Sequence, residues 1–218
     1  LGRFWRGVYW SALAPLRYRA DWPEPRLPGP DWVKVRPLLG GICGSDVAMV
    51  TLRNPPDSFA KAFVSGPFVL GHECVGRIAE IGPQAQGFSV GDRVNVEPAL
   101  SCRVRGIESQ CPACRQGLLA SCHNLASGPL PPGMSIGFNA VTGGSWGECF
   151  VAHRSQLFKV PDALTDEQAV LVDPLACCLH AVLMRPPRND EIVLVLGAGA
   201  IGLGIVNAIR AVGSKARV

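Results

Sequence analysis

The sequence predicts a mixed fold, β-rich over most of its 218 residues and α/β at its end. Three observations carry this. Strand-like runs split by turn residues fill the stretches 4–40, 68–98 and 146–160. With 25 Gly and 19 Pro and no repeat period, dense turns between short strands are the expected consequence. Helical text begins only at Thr165, where Thr165-Asp-Glu-Gln168 is a capping-box signature. Last, the apolar run Glu191-Ile-Val-Leu-Val-Leu196 stands before a glycine turn and a helix. A strand buried on both faces of a parallel sheet reads that way.

In the first stretch, Trp32-Val-Lys-Val-Arg36 alternates apolar and polar residues. In the second, Val69-Leu70, Cys74-Val75, Ile78-Ala-Glu-Ile81 and Arg93-Val-Asn-Val96 are divided by Gly71, Gly76, Gly82 and Gly91. Residues 99–145 are loop-rich, and Trp146 to Val160 returns to strand. Pro174 is expected to open a helix running to about Leu183, and 200–212 reads as another, with Gly213 as its stop.

Composition narrows the classes. Hydrophobic residues at 48% against 17% charged supply a packed core and exclude a disordered chain. The net charge of +4 is mostly scattered. Its densest group, Arg3 to Arg19, is interleaved with Trp and Tyr but bears no nucleic-acid module signature, so it reads as a solvated strand face. No run of about 18 apolar residues suggests a membrane span, and no signal peptide is visible. A cytoplasmic protein without nucleic-acid or membrane partners is expected.

Gly197-Ala-Gly199-Ala-Ile-Gly202 lies between the apolar run and the last helix. Gly197 permits a tight turn, Gly199 lets backbone approach a pyrophosphate, and Gly202 lets the helix pack close, with phosphates at the helix N-terminus. The plainer reading is a glycine-rich turn without a ligand. The residue that would read the ribose is expected about 20 residues further on. The sequence ends at Val218, so a complete dinucleotide fold is expected to need further strands.

Nine cysteines are many for a chain without secretory signals. Cys102, Cys111, Cys114 and Cys122 fall in one short stretch, with Cys111-Pro-Ala-Cys114 a tight pair. Four thiolates in one loop suit a closed tetrahedral zinc site. Two disulfides, free thiols or a redox pair are the alternatives, the last lacking its strand–helix context. Cys74, Cys149 and Cys178 read as small core residues. No role is assigned to His123, His153 or His180.

Cys43 in Gly40-Gly-Ile-Cys-Gly-Ser-Asp46 and His72 in Gly71-His-Glu73 are each ambiguous alone. Taken in order with Val90-Gly-Asp-Arg-Val94, the four-cysteine loop and the glycine turn, they make the chain resemble the zinc-containing medium-chain dehydrogenases from about Val33 to Gly213. Asp173-Pro174-Leu175 is similar to the Glu-Pro-Leu segment of the polyol and threonine dehydrogenase branch.

The resemblance implies a GroES-like zinc-binding domain over 1–172 and the start of a Rossmann dinucleotide-binding domain over 173–218. It implies two zinc ions per chain. A catalytic zinc would be held by Cys43, His72 and Asp173, with Glu73 beside it and Asp46 holding the His72 ring; a structural zinc would sit at the four-cysteine loop. Ser45 would relay a proton, Gly197, Gly199 and Gly202 would receive NAD or NADP, and the substrate would be a small alcohol or polyol. A complete protein would be a homodimer or homotetramer. Two departures stand out. Asp173 is one methylene shorter than Glu and also suits an N-cap before Pro174, leaving Cys177 as a substitute ligand. Eight residues separate Cys102 from Cys111, where the family has two. The rival readings are a zinc-free reductase on the same fold and a non-catalytic zinc-stabilised binding domain.

Overall fold

Five antiparallel strands make one sheet in the order β4-β1-β2-β3-β5. The computed structural model describes residues 7, 11, 14–51, 53 and 63–218. β1 spans Trp32–Gly40, β2 Cys74–Ile81, β3 Arg93–Val96, β4 Phe150–His153 and β5 Leu157–Lys159. Val33 and Val35 of β1 are fully buried while Arg36 is exposed, the period-two alternation of a strand with one face on the core. Ile78, Val94, Leu100, Phe150 and Val151 join them.

The register matters more to function than the core does. Gly40, the last residue of β1, pairs with Cys74, the first of β2. Gly41 continues the stitch by donating its N–H to the Glu73 carbonyl at 2.9 Å. The chain leaving β1 therefore runs beside the chain entering β2, and Cys43 and His72 meet there. α1 (Gly44–Val50) starts at that point, with Cys43 as its N-cap.

Several expectations need correction. Described residues between 14 and 31 form no strand, and the rest of the strand text before Trp32 falls largely outside the described residues. Arg3 and Arg6 of the basic group lie outside them too; Arg19 pairs with Asp21 at 2.7 Å on the surface. Val69-Leu70 is loop, because the Leu70 carbonyl accepts from Trp146 N–H instead of from a strand.

α2 (Pro112–Arg115) is one turn within the cysteine lobe. The predicted capping box opens α3 (Asp166–Ala169): Thr165 N–H donates to Gln168 Oε1 at 3.0 Å, and Gln168 N–H to Thr165 Oγ1 at 3.3 Å. α4 covers Val172–Met184 with Leu171 as N-cap. Asp173 is thus the second helical residue and not the cap. Val170 and Leu171 already have right-handed helical dihedrals, so the helix begins before Pro174 can start it.

The run 191–196 is not a strand buried on both faces. One parallel bridge joins Ile192 to Arg217. Val193 packs on Cys178, Val182, Ala208 and Ile209, whereas Ile192, Leu194 and Leu196 are 77–87% exposed. A parallel strand is covered on both sides only when other strands and helices flank it, and the described residues supply one covered side. α5 (Ala200–Ala211) is as expected, with Gly213 beyond it at φ 82°.

Candidate metal centres and glycine turn

Ligand atoms of Cys43, His72 and Glu73 lie within 4.8 Å of one another. Sulfur, nitrogen and oxygen donors in one spot suit a divalent transition metal. Asp46, fully buried in the first turn of α1, joins the two ligand segments. Its Oδ2 accepts the Cys43 N–H at 3.0 Å. Its Oδ1 lies 3.5 Å from His72 Nδ1, close enough for attraction and too long for a well-formed hydrogen bond. Both atoms are buried without a hydrogen-bond partner. Burial works against a charge on His72, but the Asp46 carboxylate and the Cys43 thiol outweigh it and hold the imidazole up at about 9. A metal ion competes with that proton for the ring.

Asp173 is not among the three converged donors. It lies in their field: burial pushes its carboxyl up to about 6, His72 opposing and Glu73 and Glu97 reinforcing the shift. The Cys177 thiol is raised by burial and then by Asp173. These acids and thiols around His72 are a donor set suited to a divalent cation, with Cys177 at its exposed side. Ser45 is exposed on α1, open to solvent.

The second site is the lobe at 102–122. Cys102, Cys111, Cys114 and Cys122 are all buried, with ligand atoms within 4.8 Å. They form no disulfide, so that alternative fails. Backbone N–H groups point at the sulfurs: Cys111 to Cys102 at 3.4 Å, Cys114 to Cys111 at 3.5 Å, His123 to Cys111 at 3.4 Å and Asn124 to Cys122 at 3.4 Å. Donors aimed at sulfur favour thiolates. Those from His123 and Cys114 bring Cys111 down to about 6, while burial pushes Cys114 up to about 12. Four sulfurs gathered in this way are a donor set that a divalent metal would hold as thiolates.

In the glycine turn, Gly197 sits at φ 106°, which favours glycine. A Cβ on Gly202 would strike the Gly197 carbonyl oxygen, and one on Gly204 would lie 2.6 Å from Cys178 Sγ, where α5 meets α4. Gly199 has open space around it as the N-cap of α5.

Sequence reasoning missed the clamp around the first centre. Ser145 and Trp146 donate backbone N–H groups to Gly71 and Leu70. Trp146 Nε1 donates to the Gly41 carbonyl at 3.0 Å, and Phe138 packs on the His72 ring at 5.5 Å. Only Gly144-Ser145-Trp146-Gly147, a small-residue run beside an aromatic, hinted at it. His153 also has a role, capping the turn Arg154–Gln156. Cys74, Cys149 and Cys178 are buried as expected.

A β domain thus brings three mixed donors together beside a four-thiol lobe, and a glycine turn follows it. The chain belongs to the zinc-containing medium-chain dehydrogenases: residues 29–162 match the alcohol dehydrogenase GroES-like domain. Sorbitol dehydrogenase of Bacillus subtilis is 31% identical over 84% of this chain and 47% of its own length. The solved 2R,3R-butanediol dehydrogenase of Bacillus subtilis superposes with a TM-score of 0.66 at 28% identity, over 91% of this chain and 52% of that one. An Escherichia coli protein described as a short chain alcohol dehydrogenase, complexed with NADH, gives 0.68 at 32% identity, over 84% and 46%. The chain spans about half the length of the curated relatives it matches. Among the described residues, no helix is long and apolar enough to cross a membrane.

Proposed function

We propose that this chain is the zinc-binding part of a dehydrogenase that moves a hydride between a small alcohol or polyol and NAD or NADP. The observation that carries it is the convergence of Cys43, His72 and Glu73 at the paired ends of β1 and β2. Zinc would supply a Lewis acid that lowers the pKa of an alcohol hydroxyl, and the nicotinamide would exchange the hydride. Cys43 and His72 hold the metal, and Glu73 completes the donors that already lie together. Asp173 acts on the remaining position, directly or through a water. Asp46 fixes the His72 ring, and Ser45, exposed beside Cys43, passes the proton to solvent. The four-cysteine lobe holds a second, structural zinc.

The boundary proposed at 172/173 is supported by α4, which starts at Val172 and packs on α5. Gly197, Gly199 and Gly202 would receive the dinucleotide. Nine cysteines, none in a disulfide, suit the reducing cytoplasm. Metal analysis of dialysed chain tests the reading: two zinc ions are expected, and one or none opposes it. The complete enzyme should reduce NAD or NADP with a polyol and stop doing so in Cys43→Ser; unchanged turnover would refute the role of Cys43.

A further inference from the structure

The backbone that carries the first centre is rich in glycine. Gly40, Gly41 and Gly44 flank Cys43, and Gly71 precedes His72. Glycine leaves a chain loose unless other residues hold it, and residues 144–147 supply the hold. Ser145 N–H donates to the Gly71 carbonyl at 2.9 Å, and Trp146 N–H to that of Leu70 at 3.0 Å. Ser145 Oγ donates to the Glu73 carbonyl at 3.3 Å. The indole Nε1 of Trp146 donates to the Gly41 carbonyl at 3.0 Å. Three of these carbonyls surround His72 in sequence, and the fourth stands two residues before Cys43.

The fit is close. A Cβ on Gly71, which sits at φ 94°, would strike both Ser145 Oγ and Trp146 Cδ1. One on Gly144 would strike the Val69 and Leu70 carbonyl oxygens. Strand register brings the dipeptide here. Phe150 of β4 pairs with Val35 of β1 in antiparallel sense, so the residues before Phe150 run along the outgoing end of β1. Trp146 is half-buried, and an indole N–H in that setting needs an acceptor. It finds one on the Cys43 segment, while its own backbone is bonded to the His72 segment.

We infer that Trp146 is a positioning residue of the mixed-donor centre: it ties the Cys43 segment to the His72 segment and so holds the two ligands at coordination spacing. It acts through the backbone beside the ligands and is not a ligand itself. Donors held in place before a metal arrives bind it more tightly, because less ordering is left to the binding step. The backbone bond of Trp146 survives substitution, whereas the bond to Gly41 needs the indole. The inference rests on the reading of Cys43 and His72 as zinc ligands.

Cobalt titration of the 218-residue chain tests it, since the visible spectrum of cobalt bound by one thiolate differs from that of cobalt bound by four. Trp146→Phe keeps an aromatic ring and the backbone bond and loses the indole N–H. It should weaken cobalt binding in the one-thiolate spectrum about tenfold, the scale of one lost hydrogen bond, and leave four-thiolate binding at wild-type strength. A general loss of stability would move both centres, so an equal fall at both would overturn the inference, as would unchanged binding at the mixed centre. Wild-type chain without a one-thiolate spectrum would overturn the zinc reading beneath it. If Trp146→Phe fails to fold, benzothienylalanine in place of Trp146 decides the same question, because it has the shape of tryptophan with sulfur where the N–H was. Weaker cobalt binding at the mixed centre alone is expected, and wild-type affinity there would overturn the role of Trp146.

Discussion

Asp46 Oδ1 lies 3.5 Å from His72 Nδ1, and the other oxygen of that carboxylate accepts the Cys43 N–H. One buried side chain thereby lies against the Nδ1 edge of a histidine, leaving Nε2 as the free edge, and holds the backbone of a cysteine 29 positions away in sequence.

Asp46→Asn should separate these tasks. Its retained carbonyl oxygen can still accept the Cys43 N–H, so the fold and α1 should persist. The imidazole loses its anionic partner, and zinc affinity at this centre should fall about 10–100-fold. Competition with a chromogenic chelator measures it, and wild-type affinity would remove Asp46 from the metal site.

Cys114→Ser and Cys43→Ser should differ in kind. Losing a structural metal belongs to the few mechanisms that cost more than about 4 kcal/mol, which in a chain of this size lowers Tm by roughly 8–16 °C. Cys43→Ser should leave Tm much closer to wild type. Equal losses in thermal melts would sink the distinction.

Asp173 is inside α4, so Asp173→Asn removes no cap. If the carboxylate acts on zinc, the substitution should weaken metal binding and leave helicity unchanged. Retention of wild-type zinc affinity would leave Glu73, with Cys43 and His72, as the sufficient donor set.

His153 supplies an acid-sensitive contribution. Burial, aided by Arg103 and Arg154 and opposed by Asp31, lowers its pKa below the ordinary 6.5. Its Nδ1 accepts the Ser155 N–H at 3.1 Å, a bond open only to the neutral ring. The unfolded chain then takes up a proton that the folded one refuses. The resulting stability is complete above about 6.5 and is lost as pH falls towards the folded value. His153→Asn keeps a capping oxygen. Denaturant midpoints should show wild type losing ground to this variant as pH falls from about 7 to about 5. A difference independent of pH would count against it.

Gly202 and Gly199 should separate stability from binding. A methyl on Gly202 meets the Gly197 carbonyl, so Gly202→Ala should cost about 1–3 kcal/mol and raise hydrogen exchange over 200–211. Gly199→Ala meets no atom within 4 Å and should leave exchange near wild type. Only dinucleotide binding by the complete enzyme should suffer there, and unimpaired binding would argue against the turn as the phosphate site.

Local signals account for what was legible. The alternation from Trp32 to Arg36 became a strand with Val33 and Val35 on the core, and Arg93–Val96 one whose last three residues are all buried. The Thr165 box and the Gly213 stop are short-range hydrogen-bonding devices that act in any context. The alternative of Asp173 as an N-cap failed because helical dihedrals from Val170 onward pre-empted it. The apolar run 191–196 has the composition of a central strand, but burial of both faces depends on neighbours, which its own residues do not supply.

By itself the sequence determined the donor types, the four-cysteine spacing, the glycine turn and the order of β-rich and α/β parts, since each is written in nearby residues. Only the tertiary structure decided which donors meet. The pairing of Gly40 with Cys74 puts Glu73 beside Cys43 and His72. The carbonyls of 127–133 close on Arg105 from more than 20 residues away, and Trp146 reaches Gly41 across 105. Such contacts follow from strand register and loop closure, in which the partner is chosen by the packing of the whole domain and not by its neighbours in the chain.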